Sequence, residues 1–188
     1  MSALSSPSIL VVDDQQSILL SIDTALRLAG FSRIQTCSES RLVKSLATEK
    51  APEVVLMDLM MPGVDGETLL SFFVNEHPGV PVIVITGKVD AETAVRCMKA
   101  GAFDYIVKPV ENERLVATVQ RAAAYRMLQR ENQALRRQIL AEHTPRSDAF
   151  ADIVTRDAKM LAVFHYVEAI AATFQPVLIR GETGVGKE

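Results

Sequence analysis

Three carboxylates and one ammonium stand where apolar runs of the sequence end: Asp13, Asp14, Asp58 and Lys108. The runs that precede them cover residues 9–12, 54–57 and 105–107. A charged side chain at the end of a buried strand is costly to desolvate, and it therefore usually has a partner or a task. In a parallel sheet the carboxyl ends of the strands lie at one edge, where open α/β folds place their ligand sites. We therefore expect these four residues to form one polar site.

The chemistry of such a site follows from its charges. Two unit charges about 4 Å apart repel by roughly 4 kcal/mol at an effective dielectric near 20, so the carboxylates need a cation. Oxygen ligands suit Mg²⁺. Beside a metal, Asp58 can act as a nucleophile toward phosphorus, because carboxylates form acyl phosphates. Lys108 and the hydroxyl of Thr86, which follows the apolar run 82–85, would then neutralise charge on the transferred group. The sequence predicts magnesium-dependent phosphoryl transfer.

The first 110 residues alternate short apolar runs with longer amphipathic segments. We predict strands at residues 8–12, 33–36, 54–57, 82–85 and 105–107. We predict helices at residues 16–29, 39–49, 67–75 and 91–100, and a long helix from 111 to about 141. Five strand–helix units of this length predict a doubly wound α/β fold with a five-stranded parallel sheet and right-handed crossovers.

The fifth predicted helix is longer than a compact domain needs, because residues 111–141 contain neither glycine nor proline. Its first part can pack on the sheet through Leu115, Val119 and Ala122. Further on, alternating three- and four-residue spacings form a short coiled-coil seam of Tyr125, Leu128, Asn132, Leu135 and Ile139. An asparagine at an a position favours a defined register and two strands. We predict a homodimer through a coil at residues 125–143; the alternative is one amphipathic helix packed on its own domain.

A second domain is predicted at residues 153–188, after a loop at 144–152. It has a predicted helix at 158–172 and a strand at 177–179 that leads into a G-x-x-x-x-G-K pattern. The pattern and the residue after it are Gly181, Glu182, Thr183, Gly184, Val185, Gly186, Lys187 and Glu188. Such a loop holds nucleotide phosphates with backbone N–H groups and its lysine, although Ser or Thr is usual at the last position. We expect a truncated chain that hydrolyses no ATP, with ATP bound only by the full-length protein.

Composition limits the remaining classes. The net charge of −3 argues against nucleic-acid binding by the chain as a whole. The N-terminus lacks the basic and apolar regions of a signal peptide, and no apolar run approaches the roughly 20 residues of a membrane helix. The two cysteines lack a CxxC spacing, which fits a reducing compartment. We expect a cytoplasmic protein.

Residues 8–120 resemble the receiver domain of two-component response regulators. The resemblance is carried by residues 9–14, 57–66, 84–87 and 101–109. It implies that a histidine kinase phosphorylates Asp58. It also implies that Asp14, Asp58 and the main-chain carbonyl of Met60 hold Mg²⁺, that Asp13 reaches the metal through water, and that Lys108 contacts the phosphoryl group.

The same resemblance implies a conformational switch. When Asp58 is phosphorylated, the hydroxyl of Thr86 is expected to move toward the phosphoryl group, and Tyr105 to turn into the vacated space. The surface formed by the fourth helix, fifth strand and fifth helix is the element expected to have two packings. The Lys108–Pro109 peptide bond is expected to be cis.

Residues 153–188 resemble the start of the AAA+ domain of NtrC-type sigma-54-dependent activators. This resemblance implies a receiver domain at residues 1–124 that controls an attached ATPase, with sigma-54 RNA polymerase and DNA contacted only through absent domains. A restraining role is suggested by the coil, and a promoting role is left open. Two alternatives are a receiver that dimerises for a different output domain, and a P-loop NTPase enzyme whose first domain merely resembles a receiver.

Overall fold

The computed structural model describes residues 6–87, 91–142, 150 and 153–171. The chain divides into two compact units, Met1–Arg130 and Glu131–Glu188. None of the helices in these described ranges is long and apolar enough to cross a membrane.

The first unit contains five parallel strands in the order β2-β1-β3-β4-β5. The strands are β1 (Ile9–Val12), β2 (Ile34–Cys37), β3 (Val54–Asp58), β4 (Val82–Thr86) and β5 (Asp104–Val107). The helices are α1 (Gln16–Leu28), α2 (Val43–Glu49), α3 (Gly66–Glu76), α4 (Ala91–Lys99) and α5 (Asn112–Glu142). The predicted fold class is confirmed, and most predicted boundaries agree within two residues.

The core consists of two apolar layers, one on each face of the sheet. Alternate strand residues such as Val55 and Met57 pack with Leu69 and Phe73 of α3. The residues between them, such as Leu56, pack with α1 and α5. Strands β1, β3 and β4 are therefore buried along their whole length, as expected for strands covered on both faces. Each fully buried Leu, Val or Phe side chain contributes about 1.5–3 kcal/mol, which holds the strand ends in place.

The predicted helix at residues 39–49 is wrong at its beginning. A 3₁₀ turn, Ser40–Leu42, precedes α2, which begins only at Val43. In this turn the Ser40 hydroxyl donates a hydrogen bond to the carbonyl of Pro62, 2.7 Å away, in the loop after β3. Glu39, where the predicted helix begins, has an extended backbone, with φ −113° and ψ 105°.

Helix α5 packs on the sheet through Leu115, Val119 and Ala122, as predicted. Two arginines extend this face beyond the apolar residues. Arg130 forms an ion pair with Glu53, the residue before β3. Arg126 is half-buried, and its Nε and Nη1 atoms have no hydrogen-bond partner within the described part of the chain. Burial and the neighbouring charge of Arg130 lower the pKa of Arg126 below its ordinary value.

In the second unit the described residues include α6 (Ala158–Ala171). Asp157 stabilises its N-terminus, because one carboxylate oxygen accepts the Lys159 N–H at 2.6 Å. The ring of Phe150 stacks on that of Phe164, with centroids 4.6 Å apart. The predicted strand at 177–179 and the predicted phosphate loop at 181–188 lie outside the described residues, as does most of the predicted loop at 144–152.

Candidate functional site

The three predicted aspartates meet at one edge of the sheet. Strand register places Val12 beside Met57, so the residues that follow β1 lie beside the end of β3. Asp13 and Asp58 are buried, with 2% and 3% of their surfaces exposed, whereas Asp14 is exposed. One carboxylate oxygen from each of the three lies within 4.8 Å of the others. Such an arrangement presents a concentrated negative charge at the carboxyl ends of the strands.

Lys108 supplies the counter-charge to this cluster. Its ammonium donates to Oδ2 of Asp13 and to Oδ2 of Asp58, each at 2.6 Å. Burial alone would lower the pKa of Lys108, but the bonds to the two carboxylates outweigh it and raise that pKa above its ordinary value. The Lys108 N–H also donates to the Thr86 carbonyl at 2.8 Å, which ties the lysine to the end of β4. The Lys108–Pro109 peptide bond is cis, as predicted.

The second oxygen of each buried carboxylate accepts a backbone N–H. Asp58 Oδ1 accepts from Met60 at 3.0 Å, and Asp13 Oδ1 accepts from Gln15 at 2.9 Å. Each aspartate is therefore held at both oxygens, one by the lysine and one by its own loop. These bonds fix the two side chains in a defined orientation toward the shared space.

The donor set suits a hard divalent cation. Three carboxylates and one ammonium leave a formal charge of −2 in the cluster, and all the available ligand atoms are oxygens. Magnesium prefers carboxylate and carbonyl oxygens and keeps several bound waters. The exposed position of Asp14 gives a hydrated ion access from solvent.

The loop between β3 and α3, residues 59–65, is shaped by two glycines. Gly63 has a φ of +94°, which side-chain-bearing residues rarely adopt. Gly66, the first residue of α3, lies so close to the end of β3 that a Cβ atom there would be 2.5 Å from the Cα of Leu59. Its N–H donates to the Leu59 carbonyl at 3.2 Å. Close backbone approach thus seats α3 directly beside the phosphoacceptor candidate.

The predicted switch residues, Thr86 and Tyr105, lie on the adjacent strands β4 and β5. Thr86 ends β4 and is fully buried. Tyr105 in β5 pairs with Val84 of β4 and is partly buried against the apolar layer on the α3 side. Met60 is 67% exposed, and its main-chain N–H is the donor to Asp58 described above. Ser40 was not predicted as part of this region, because a serine within an amphipathic pattern gives no signal of a long-range bond.

A family comparison agrees with this geometry. Residues 9–120 match the response regulator receiver domain. The chain belongs to the response regulator receiver family. The match covers β1 through the first part of α5 and includes all seven predicted residues of the sheet-edge site: Asp13, Asp14, Asp58, Met60, Thr86, Tyr105 and Lys108.

Relatives of this receiver are transcription regulators. The C4-dicarboxylate transport transcriptional regulatory protein DctD of Pseudomonas aeruginosa is 34% identical over 180 residues, which cover 96% of this chain and 38% of DctD. The DNA-binding transcriptional regulator NtrC of Klebsiella pneumoniae is 35% identical over 178 residues, which cover 95% of this chain and 36% of NtrC. The chain therefore spans little more than a third of the length of these relatives.

Solved receiver structures have the same fold. The receiver domain of NtrX from Brucella abortus superposes with a TM-score of 0.59 at 33% identity, covering 62% of this chain and 98% of that one. A receiver domain protein from Clostridium thermocellum superposes with a TM-score of 0.61 at 33% identity, covering 65% and 98%. The similarity supports a receiver-type sheet and helix arrangement in the first unit.

Proposed function

We propose that Asp58 accepts a phosphoryl group from a histidine kinase in a reaction that requires Mg²⁺. The observation that carries this proposal is the ammonium of Lys108 lying 2.6 Å from both buried carboxylates, Asp13 and Asp58. The cluster of three aspartates and Lys108 keeps a net negative charge, which suits it to bind a cation and then a phosphoryl group on Asp58. Membership of the receiver family supports the same function.

In the proposed reaction, an Asp58 oxygen attacks the phosphorus of a phosphohistidine. The new P–O bond forms as the P–N bond to imidazole breaks, and the imidazole nitrogen keeps the electron pair. Bound Mg²⁺, held by Asp14, Asp58 and the Met60 carbonyl and reached by Asp13 through water, would offset charge on the phosphoryl oxygens. Lys108 is placed to exchange its bond with Asp58 for a bond to one of those oxygens.

The phosphorylated state would be read by Thr86 and Tyr105. A phosphoryl group adds roughly −1.5 to −2 charges, and it attracts hydroxyl and ammonium donors. The main-chain N–H of Lys108 donates to the Thr86 carbonyl, so a movement of either residue would be passed to the other. Tyr105 lies on the neighbouring strand, and its movement would change the surface formed by α4, β5 and α5.

The output of this change would be the geometry of a homodimer. Among the side chains of α5 that the structure describes, residues 112–135, the last buried one is Ala122. The seam residues Tyr125, Leu128 and Leu135 are 40%, 65% and 59% exposed. Asn132 is also exposed, and the side chain of Ile139 lies outside the described residues. Exposed apolar residues at coiled-coil spacing favour a second copy of the helix as their partner. We assign the receiver to residues 1–124 and the coil to residues 125–143.

The dimer would control an ATPase attached after the coil. The support is the Gly181–Lys187 sequence pattern together with the similarity to NtrC and DctD over nearly the whole chain. In the full-length protein, ATP would bind at this loop, including Glu188, and further domains would contact sigma-54 RNA polymerase and DNA. We place the protein in the cytoplasm, where its proposed kinase partner presents the phosphoryl group.

Acetyl phosphate with MgCl₂ tests the phosphotransfer. The chain should gain a labile mass of about 80 Da, one phosphoryl group, and lose it on treatment with hydroxylamine. Asp58→Asn should abolish the gain, whereas Asp23→Asn, which changes an aspartate on α1, should not. A gain that persists in Asp58→Asn would refute the assignment.

Control of an ATPase is tested separately in the full-length protein. Deletion of residues 1–140 should give ATPase activity that no longer needs phosphorylation if the receiver restrains the ATPase. Loss of activity would instead show that the receiver promotes it. A full-length sequence with an unrelated domain after the coil would favour the second candidate, a receiver that dimerises for a different output.

A further inference from the structure

Ser40 is a buried polar residue that the proposed chemistry does not use. It begins the 3₁₀ turn after β2, and only 3% of its surface is exposed. Its hydroxyl donates to the Pro62 carbonyl at 2.7 Å and accepts the Val64 N–H at 2.8 Å. These partners lie 22 and 24 residues further along the chain. One hydroxyl thus joins the β2–α2 connection to the middle of the β3–α3 loop.

Ser40 forms hydrogen bonds with both neighbours of Gly63, Pro62 and Val64, and it also lies close to Gly63 itself. A Cβ atom at Gly63 would lie 2.9 Å from the Ser40 Oγ and 3.3 Å from the Arg41 Nε. The serine hydroxyl therefore fills the inside of the turn that Gly63 makes at its positive φ. An alanine at position 40 would leave the Pro62 carbonyl and the Val64 N–H without this partner, on a loop that is exposed at Pro62 and half-buried at Val64.

The loop that Ser40 holds is the one that leaves the phosphoacceptor. It is fixed near its start by the bond between the Met60 N–H and Asp58 Oδ1, and at its end by the bond between Gly66 and Leu59. Ser40 fixes the part between these two points. The strand end before Ser40 also contacts the acid pair, because the Asp13 N–H donates to the Cys37 carbonyl at 3.2 Å. The end of β2 and the turn after it therefore contact both Asp13 and the β3–α3 loop.

We propose that Ser40 is a positioning residue for the phosphorylation site. Its hydroxyl holds the β3–α3 loop so that the Met60 carbonyl stays within reach of a metal bound by Asp58. Ser40 itself touches neither the metal nor the phosphoryl group. This role rests on the proposed function of Asp58. If it is correct, removing the Ser40 hydroxyl should change the magnesium affinity more than it changes the phosphorylation rate at saturating magnesium.

The experiment measures magnesium half-saturation in Ser40→Ala, Ser40→Cys and the wild-type chain. Because the chain has no tryptophan, ¹⁵N amide shifts of residues 58–60 report metal binding without a phosphodonor. Phosphorylation by acetyl phosphate is then followed as a function of MgCl₂. Thr118→Val is the matched control, since it removes another buried hydroxyl, one on α5 that accepts from Arg121. Ser40→Ala should raise the magnesium half-saturation about three- to tenfold, the range that corresponds to one hydrogen bond.

The outcomes separate the two proposals. Ser40→Cys, which donates only weakly, should lie between wild type and alanine, and it carries the test if the alanine variant does not fold. A wild-type half-saturation in the Ser40 variants, or an equal increase in Thr118→Val, would refute the positioning role while the adduct on Asp58 still forms. A wild-type chain that gains no adduct at all would refute the function of Asp58 and the role of Ser40 with it.

Discussion

Replacing Lys108 with methionine tests whether one ammonium balances the buried acid pair. The lysine side chain is 15% exposed, and its two carboxylate partners are 2% and 4% exposed. The substitution keeps most of the aliphatic stem but leaves Asp13 and Asp58 facing each other without a cation. Since both remain held by backbone N–H groups, neither side chain can turn away without losing a further hydrogen bond.

The size of the effect can be worked from the contacts. At 2.6 Å and an effective dielectric near 20, each contact has a gross attraction of about 6 kcal/mol. Desolvation of the three charged groups offsets most of this attraction. Removing one partner of a buried ion pair typically lowers the free energy of unfolding by about 3–5 kcal/mol. We expect that loss for Lys108→Met in the absence of divalent ions.

Magnesium should restore part of the lost stability. A ligand at ten times its dissociation constant adds about 1.4 kcal/mol to the free energy of unfolding. In Lys108→Met no ammonium competes with the ion, so the increment should exceed that of wild type at the same MgCl₂ concentration.

Urea unfolding followed by circular dichroism, in EDTA and in MgCl₂, measures both effects. Lys99→Met is the control, because this lysine of α4 is exposed. A loss no larger than that of Lys99→Met, with an equal response to magnesium, would refute the view that Lys108 is the counter-charge of the site.

Four further predictions concern α5 and the switch. Arg126→Met should raise the free energy of unfolding by about 1 kcal/mol in urea, because it removes buried N–H groups that have no partner among the described residues. A lower free energy of unfolding in this variant would show that these N–H groups do have partners. Arg130→Met, which breaks an ion pair at a 61% exposed side chain, should lower it by no more than about 1 kcal/mol in the same assay. Leu128→Asp should weaken dimerisation at least tenfold in sedimentation analysis, while Asp58 is still phosphorylated by acetyl phosphate; an unchanged dimer would exclude the predicted seam. Thr86→Ala should accept the phosphoryl group but lose the change in oligomeric state that light scattering detects on adding beryllofluoride.

The sheet and its site residues were predictable because strand ends and charged residues coincide in the sequence. Asp58 and Lys108 each follow a short apolar run, and a parallel sheet brings such ends to one edge. Asp13 lies beside Asp58 because β1 and β3 pair in the register that places Val12 next to Met57. No local sequence pattern predicts this register, which follows only once the fold class is assumed. The roles assigned to these residues remain predictions.

The details that sequence patterns miss are long-range polar contacts. Ser40 lies 22 residues from Pro62, and neither residue carries a local signal of the other. The arginines of α5 show the same limit. Helical periodicity predicts which face packs on the sheet as far as Ala122, but the pairing of Arg130 with Glu53 depends on where β3 begins.

The crowding at Gly66 bears on how this receiver can change over evolution. Since even a methyl group there would overlap the Leu59 backbone, every larger residue must push α3 away from the strand that carries Asp58. In a saturation library selected for phosphorylation, position 66 should admit glycine alone, although its side chain takes no part in the chemistry. Sequence differences between such receivers must therefore accumulate at other positions, such as the surfaces that bind partner proteins, while position 66 stays glycine.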